Sequence, residues 1–157
     1  MNKHGVDHAT FVIERSYKVA PERVFAAWAD PVQKRRWFAE GDNGTVESFE
    51  ADFRVGGFER SRFRFKDGPP MGNDTFYHDI VPNRRVVSSY SMTIGDQRIS
   101  TSLLTLELEP SGTGTRMRFT EQAAFFEGGD GAERRREGWT SLLGRLAQAL
   151  GEPAGAS

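Results

Sequence analysis

Three side chains of this sequence could hold or move a proton inside a closed interior: Glu121, Tyr90 and His78. Glu121 stands in the run Gly114–Phe125, where Met117, Phe119, Ala123 and Phe125 share its parity while Arg116, Arg118 and Thr120 take the alternate positions. A period of two is the signature of a strand with one buried face, so the carboxylate is carried inward with its apolar neighbours. Removing a carboxylate from water is costly without a partner, so an inward Glu121 is either a hydrogen-bond anchor or a general acid/base. Two structural readings compete: a bulge returns Glu121 to the surface, or it pairs with Arg60 or Arg62 as structural glue.

The same parity argument places Tyr90 inside. In Val86–Ile94 the even set Val86, Ser88, Tyr90, Met92 and Ile94 holds most of the apolar members, so Tyr90 offers one hydroxyl to the interior. In Ser100–Leu108 the even set is apolar at Leu104, Leu106 and Leu108 and small and polar at Ser100 and Ser102, which predicts a mixed lining. His78 shares parity with Phe76 and Ile80 and could act alone inside, against the more common role of a core histidine. Its neighbour Asp79 points to the opposite face of a regular strand, so the two make no dyad. His4 and His8 fall in an N-terminus expected to be mobile.

Other chemistry is excluded by what the chain lacks. With no cysteine there is no disulfide, thiolate nucleophile, sulfur-ligated zinc or iron–sulfur cluster. No nucleophile elbow, triad order or metal-ligand cluster occurs, and Gly56-Gly57 and Gly128-Gly129 lack the strand-to-helix phosphate-loop pattern and read as bends. No metal or cofactor is expected.

The elements that must position these groups follow from periodicity and punctuation. Phe11, Ile13, Tyr17 and Val19 alternate over Thr10–Val19 as a first strand. Pro21 opens a short helix with Val24, Phe25 and Trp28 on one face, and Asp30-Pro31 restarts the chain as a second, with Asp30 as N-cap and Gln33 as its capping-box partner. Turn signals at Gly56-Gly57, 67–70, Pro82-Asn83, Gly95-Asp96 and 110–112 divide the rest into strands near 45–53, 58–66, 74–81, 85–94, 98–109 and 114–124. A sheet of about seven strands must curl. A long helix over about 131–150 closes the chain, with Asp130 and Glu133 as a capping box, the stripe Trp139, Leu142, Leu143, Leu146, Leu150, and Gly151 at the C-cap. Within it Arg134-Arg135-Arg136 reads as a solvated face, with an acidic protein partner as the alternative.

Strand, two short helices, six strands and a long helix is the order of the helix-grip superfamily (START-like, SRPBCC), which includes lipid-binding START domains and the major birch-pollen allergen. The run APERVFAAWADPVQKRRWF (Ala20 to Phe38) resembles the helix–helix signature of homologues of the activator of the ninety-kilodalton heat-shock protein's ATPase. VGGFERSRF (Val55 to Phe63), DIVPNRRVV (Asp79 to Val87), GTRMRFTEQ (Gly114 to Gln122) and GWTSLLGRL (Gly138 to Leu146) extend that resemblance over nearly the whole chain. The resemblance implies an α+β helix-grip fold, a curved antiparallel sheet wrapped on the C-terminal helix, as one domain over 1–151 with a disordered tail at 152–157. Superfamily members include carriers, polyketide cyclase-like enzymes, hydrolases and co-chaperones, so fold does not settle activity.

A sheet gripping one amphipathic helix encloses space wherever inward side chains fail to meet, and apolar space suits an apolar ligand. The residues expected to line it are Trp28, Trp37, Phe63, Phe76, Tyr90, Met92, Ser102, Phe119, Glu121, Trp139 and Leu143. Trp139 is the foremost of these, since it sits on the closing helix and its indole nitrogen can donate. The wider aromatic set, with Phe38, Phe58, Phe65 and Phe125, serves as core in the competing reading. The leading expectation is therefore a domain that binds a small hydrophobic or aromatic molecule, lipids included. The alternatives are a cyclase- or hydrolase-type enzyme using Glu121, His78 or Tyr90, and a co-chaperone that stimulates a heat-shock chaperone's ATPase from its outer surface.

The totals fit such a domain. The chain has 157 residues, 37% of them hydrophobic, with 21 Lys and Arg against 22 Asp and Glu. A formal net charge of -1 supplies no positive field for phosphate backbones, which argues against nucleic acid. MNKHGVDHAT contains no signal-peptide core and no later run approaches a membrane span, so the expected compartment is the cytoplasm and no membrane insertion is expected. A homodimer is compatible with the sequence but not argued by it.

Overall fold

The computed structural model describes residues 4–40 and 44–152. The strand β1 (Asp7–Tyr17) is followed by α1 (Pro21–Ala29) and α2 (Pro31–Lys34), which runs into a single π-helical turn (Arg35–Ala39). Then come β2 (Gly44–Ala51), β3 (Phe58–Phe65), β4 (Pro70–Val81), β5 (Arg85–Ile94), β6 (Gln97–Ser111), β7 (Gly114–Phe125) and α3 (Ala132–Ala149). The seven strands form one antiparallel sheet in the order β1-β7-β6-β5-β4-β3-β2, so the first strand returns beside the last. This is the α+β helix-grip architecture.

The helical segment between β1 and β2 is fixed by its caps. Pro21 and Pro31 occupy first-turn positions, where the missing N–H is not needed. Asp30 Oδ1 accepts from Val32 N at 3.0 Å, and Gln33 Nε2 donates to Asp30 Oδ2 at 3.1 Å, so Gln33 reaches the cap's side chain rather than its backbone. Trp37 in the π turn donates its indole N–H to the Ala27 carbonyl at 2.9 Å and packs edge-on to Trp28, tying the two helices together.

At the other end, Gly151 takes a φ of +84°, and Glu152 N donates to the Ala147 carbonyl at 2.8 Å, the wrap that ends a helix at a left-handed residue. Glu152, expected to open a disordered tail, is instead buried and accepts from Lys18 N at 2.9 Å, while 153–157 lie outside the described residues. The other terminus is also more ordered than expected, since His8 is paired with Ala124 inside β1 and His4 contacts Glu127 at 3.2 Å. The predicted capping box at Asp130 does not form. Gly131 is the N-cap with no side-chain bond, and Asp130 is drawn instead to Arg135.

The core lies between the concave face of the sheet and the helices. Val24 and Trp28 from α1, Leu106 and Leu108 from β6, Met117 and Phe119 from β7, and Leu143 and Leu146 from α3 are all buried there. Burying each leucine contributes about 2 kcal/mol, which is what holds α3 across the sheet.

Candidate functional site

Three rungs of the sheet place the functional side chains on its concave face. One runs Ser61, Asn73, Met92, Ser100, Phe125; the next Glu59, Thr75, Tyr90, Ser102, Ala123; the third Tyr77, Ser88, Leu104, Glu121, Phe11. Glu121 and Tyr90 meet diagonally across β6. The Tyr90 hydroxyl donates to the Glu121 carboxylate at 2.8 and 3.0 Å, and Ser102 Oγ donates to the same group at 2.7 Å. Arg135 comes down from the first turns of α3: Nη1 donates to Glu121 Oε2 at 3.1 Å and to the Tyr90 oxygen at 2.9 Å, and Nη2 donates to Ser100 Oγ at 2.8 Å. A second carboxylate, Asp130, receives the Arg135 Nε and Nη2 protons at 2.8 and 2.7 Å. Trp139 Nε1 completes the cluster with a bond of 3.3 Å to the Tyr90 oxygen.

A second buried ion pair lies on the other side of Tyr90. Lys34 Nζ stands 2.8 Å from Glu59 Oε1, with the two side chains only 8% and 2% exposed, and Tyr77 donates to the same oxygen at 2.9 Å. The ammonium also lies over the Trp28 and Phe38 rings, 5.4 and 4.8 Å from their centroids, where the ring faces favour a cation.

Between β2–β5 and the N-terminal half of α3 the grip is left unfilled. A cavity of about 570 Å³ is bounded by Phe38, Phe63, Phe65, Met92, Trp139 and Leu142. On α3 its rim is the stripe Arg134, Gly138, Ser141, Arg145, at helical spacing, where the two central residues are too small to close it. A separate void of about 30 Å³, room for about one water, lies deeper among Lys34, Glu59, Tyr77 and Tyr90. Phe38, Asn73, Tyr90 and Trp139 border both spaces.

The family model described as activator of Hsp90 ATPase homolog 1-like protein matches residues 18–151. The chain belongs to that family. Among solved structures, this activator-like protein is similar to one from Rhizobium loti at 52% identity, covering 94% of this chain and 100% of that one, with a TM-score of 0.87. It is also similar to one from Rhizobium leguminosarum at 40% identity, covering 94% and 97%, with a TM-score of 0.90. The AHSA1 protein from Silicibacter pomeroyi matches at 25% identity over 91% and 98%, with a TM-score of 0.74. A comparison with the curated proteins finds none that matches.

In this family member, Phe63, Tyr90, Met92 and Trp139 line the large cavity, and Trp28 reaches only the small void. Ser102 and Glu121 stand behind Tyr90 as its support. Trp37, Phe119 and Leu143 border neither space: Trp37 and Phe119 pack in the aromatic core, and Leu143 lends its carbonyl to Tyr17. Phe76 is 47% exposed, and His78 lies on the convex face bonded to Ser89 at 2.8 Å. The cause is a bulge between Tyr77 and Asp79, which returns Ile80 to the core while leaving Phe76 and His78 outside. The bulge also overturns the expected separation of His78 from Asp79: both face outward, and Asp79 pairs with Arg85 at 2.7 Å.

Glu121 is inward as parity requires, but its cation is Arg135, not Arg60 or Arg62. Arg62 pairs with Asp74 outside, and Arg60 lies over Phe58. Arg135 therefore leaves the solvated face expected of the arginine run and is 6% exposed. Sequence reasoning missed Lys34, Glu59, Ser61 and Asn73. Glu59 and Ser61 were within reach, because Arg60, Arg62 and Arg64 mark the outer parity of β3. Among the described residues no group of His, Cys, Asp and Glu could hold a metal ion.

The tyrosines of the interior hold their protons tightly. Burial, then the Glu121 charge, pushes the Tyr90 hydroxyl above its ordinary value. Burial first, then Glu59, does the same to Tyr77, and burial dominates at Tyr17. These are the chain's three tyrosines. The folded state therefore keeps protons that the unfolded chain releases near pH 10, and stability falls as pH rises beyond that value. Alkaline titration followed by tyrosinate absorbance should show no step near pH 10 in the folded protein and one joint step on unfolding. A single tyrosine titrating normally in the native state would refute the arrangement.

Proposed function

We propose that this protein binds a small, largely apolar molecule in the cavity between β2–β5 and α3. The observation that carries the reading is the cavity itself: about 570 Å³, within the range of small-molecule sites, walled by aromatic and aliphatic side chains and open along a small-residue stripe of α3. The exposed Phe65, edge-on to Phe63 at 5.7 Å, extends the apolar wall to the lip. Retention rather than turnover is favoured because Glu121 and Tyr90 spend their hydrogen bonds on each other, Ser102, Arg135 and Trp139. Among the described residues no helix is long and apolar enough to cross a membrane.

Titration with 1-anilinonaphthalene-8-sulfonate, read by dye and tryptophan emission, should give saturable binding. Ser141 is exposed on the rim, so Ser141→Trp should leave the melting temperature unchanged while weakening the dye by about tenfold or more. Absence of saturable binding by the dye and by a panel of aromatic and fatty acids would end the proposal.

A further inference from the structure

The polar atoms of the cavity specify more than an apolar occupant. Ser61 and Asn73 are directly opposed on β3 and β4, and both line the cavity. Ser61 is 1% exposed, yet its Oγ has no hydrogen-bond partner among the described residues, and neither has the buried Asn73 Oδ1. Elsewhere on the concave face, Ser100, Ser102, Tyr77 and Tyr90 all have partners. Buried polar atoms are normally bonded, so two exceptions on adjacent residues that line one cavity point to a group that the ligand supplies.

A hydroxyl fits them. It donates to the Asn73 carbonyl while accepting from Ser61, and it serves equally if the amide is turned over, donating then to Ser61 and accepting from Asn73. With the amide as placed, a carboxylate would set its oxygens against Asn73 Oδ1 and a ketone would leave that oxygen unbonded, so a hydroxyl is the group that serves both orientations. The rim has a different character. Arg134 and Arg145 flank the opening, and the only carboxylate on the described lining, Asp130, is taken up by both forks of Arg135. Arg145 spends one N–H on the Arg36 carbonyl at 3.0 Å and keeps the rest of its guanidinium, while Arg134 is exposed. Two arginines facing an uncompensated opening suit a carboxylate.

We infer, resting on the binding role proposed for this cavity, that it takes a rigid apolar hydroxy acid, the hydroxyl held between Ser61 and Asn73 and the carboxylate met at the rim by Arg134 or Arg145, which stand about 16 Å apart along the helix. Calorimetric titration with 6-hydroxy-2-naphthoate, 2-naphthoate and methyl 6-hydroxy-2-naphthoate tests each end separately. The pair 4′-hydroxybiphenyl-4-carboxylate and biphenyl-4-carboxylate repeats the hydroxyl comparison over a longer span. In at least one series the hydroxy acid should bind about tenfold tighter than the compound lacking its hydroxyl, and the naphthoate about tenfold tighter than its ester. Ser61→Ala removes an unbonded hydroxyl, so it should keep the melting temperature and bring the hydroxyl preference close to one. Arg134→Gln with Arg145→Gln should erase the acid-over-ester preference.

If all five compounds bind with no preference for hydroxyl or carboxylate, or if none binds while the anilinonaphthalene dye does, the inference falls and the apolar binding role stands. If neither the compounds nor the dye bind, both fall. A hydroxyl preference that survives in Ser61→Ala overturns the placement of the hydroxyl, whatever the affinity.

Discussion

Replacing Arg135 with leucine should destabilise the protein by about 3–5 kcal/mol, although the residue sits in a run of three arginines on a helix with a long exposed face. The substitution leaves Glu121, fully buried, with donors from Tyr90 and Ser102 but no cation, and it strands Asp130 and Ser100 as well. Breaking a buried pair from one side is costly because the remaining charge stays out of water. At this chain length the melting temperature should fall by roughly 10 °C. Arg136→Ala is the control: that residue is exposed and its removal should fall within about 0.5 kcal/mol. Denaturant unfolding of the two variants decides the matter, and equal midpoints would mean that Arg135 is solvated as the charge run suggests. Glu121→Gln should cost less, since the amide still accepts from Ser102 and Tyr90 and Arg135 keeps Asp130.

That contrast shows where the sequence is legible. Alternation correctly assigns the inner faces of β5, β6 and β7, because each is a long strand paired on both sides and a slip of one residue would bury its charges. Glu121 is placed by that rule alone. The rule fails at His78, where one extra residue on β4 inverts the faces and nothing local in FYHDIV marks the bulge. It is silent on Arg135, since helical periodicity says which residues share a face but not that a carboxylate on β7 will draw an arginine inward. The aromatic count is equally ambiguous: Trp28, Trp37, Phe119 and Trp139 pack into one cluster at the closed end, so much of what suggests a roomy interior fills it. What stays open does so through small residues, Gly138 and Ser141, whose importance lies in what they omit.

The second large effect is expected at Lys34, which carries no sequence signal beyond a basic stretch. Lys34→Met should cost about 3–5 kcal/mol, because Glu59 would remain 2% exposed with Tyr77 as its remaining donor. Lys34→Met combined with Glu59→Leu should recover most of that loss, since removing both charges together ends the desolvation penalty. The pair also has a positional role. Lys34 ends α2 immediately before the π turn, and Phe38 of that turn is both a face for its ammonium and a wall of the large cavity. The salt bridge therefore fixes the turn against β3 at the place where a ligand would press on it. The double variant should regain stability while binding the anilinonaphthalene dye more weakly than the wild type, a split that separates positioning from mere folding. If instead the double variant binds as the wild type does, the turn is held by the Trp37–Ala27 bond and its ring contacts, and the ion pair acts on stability alone.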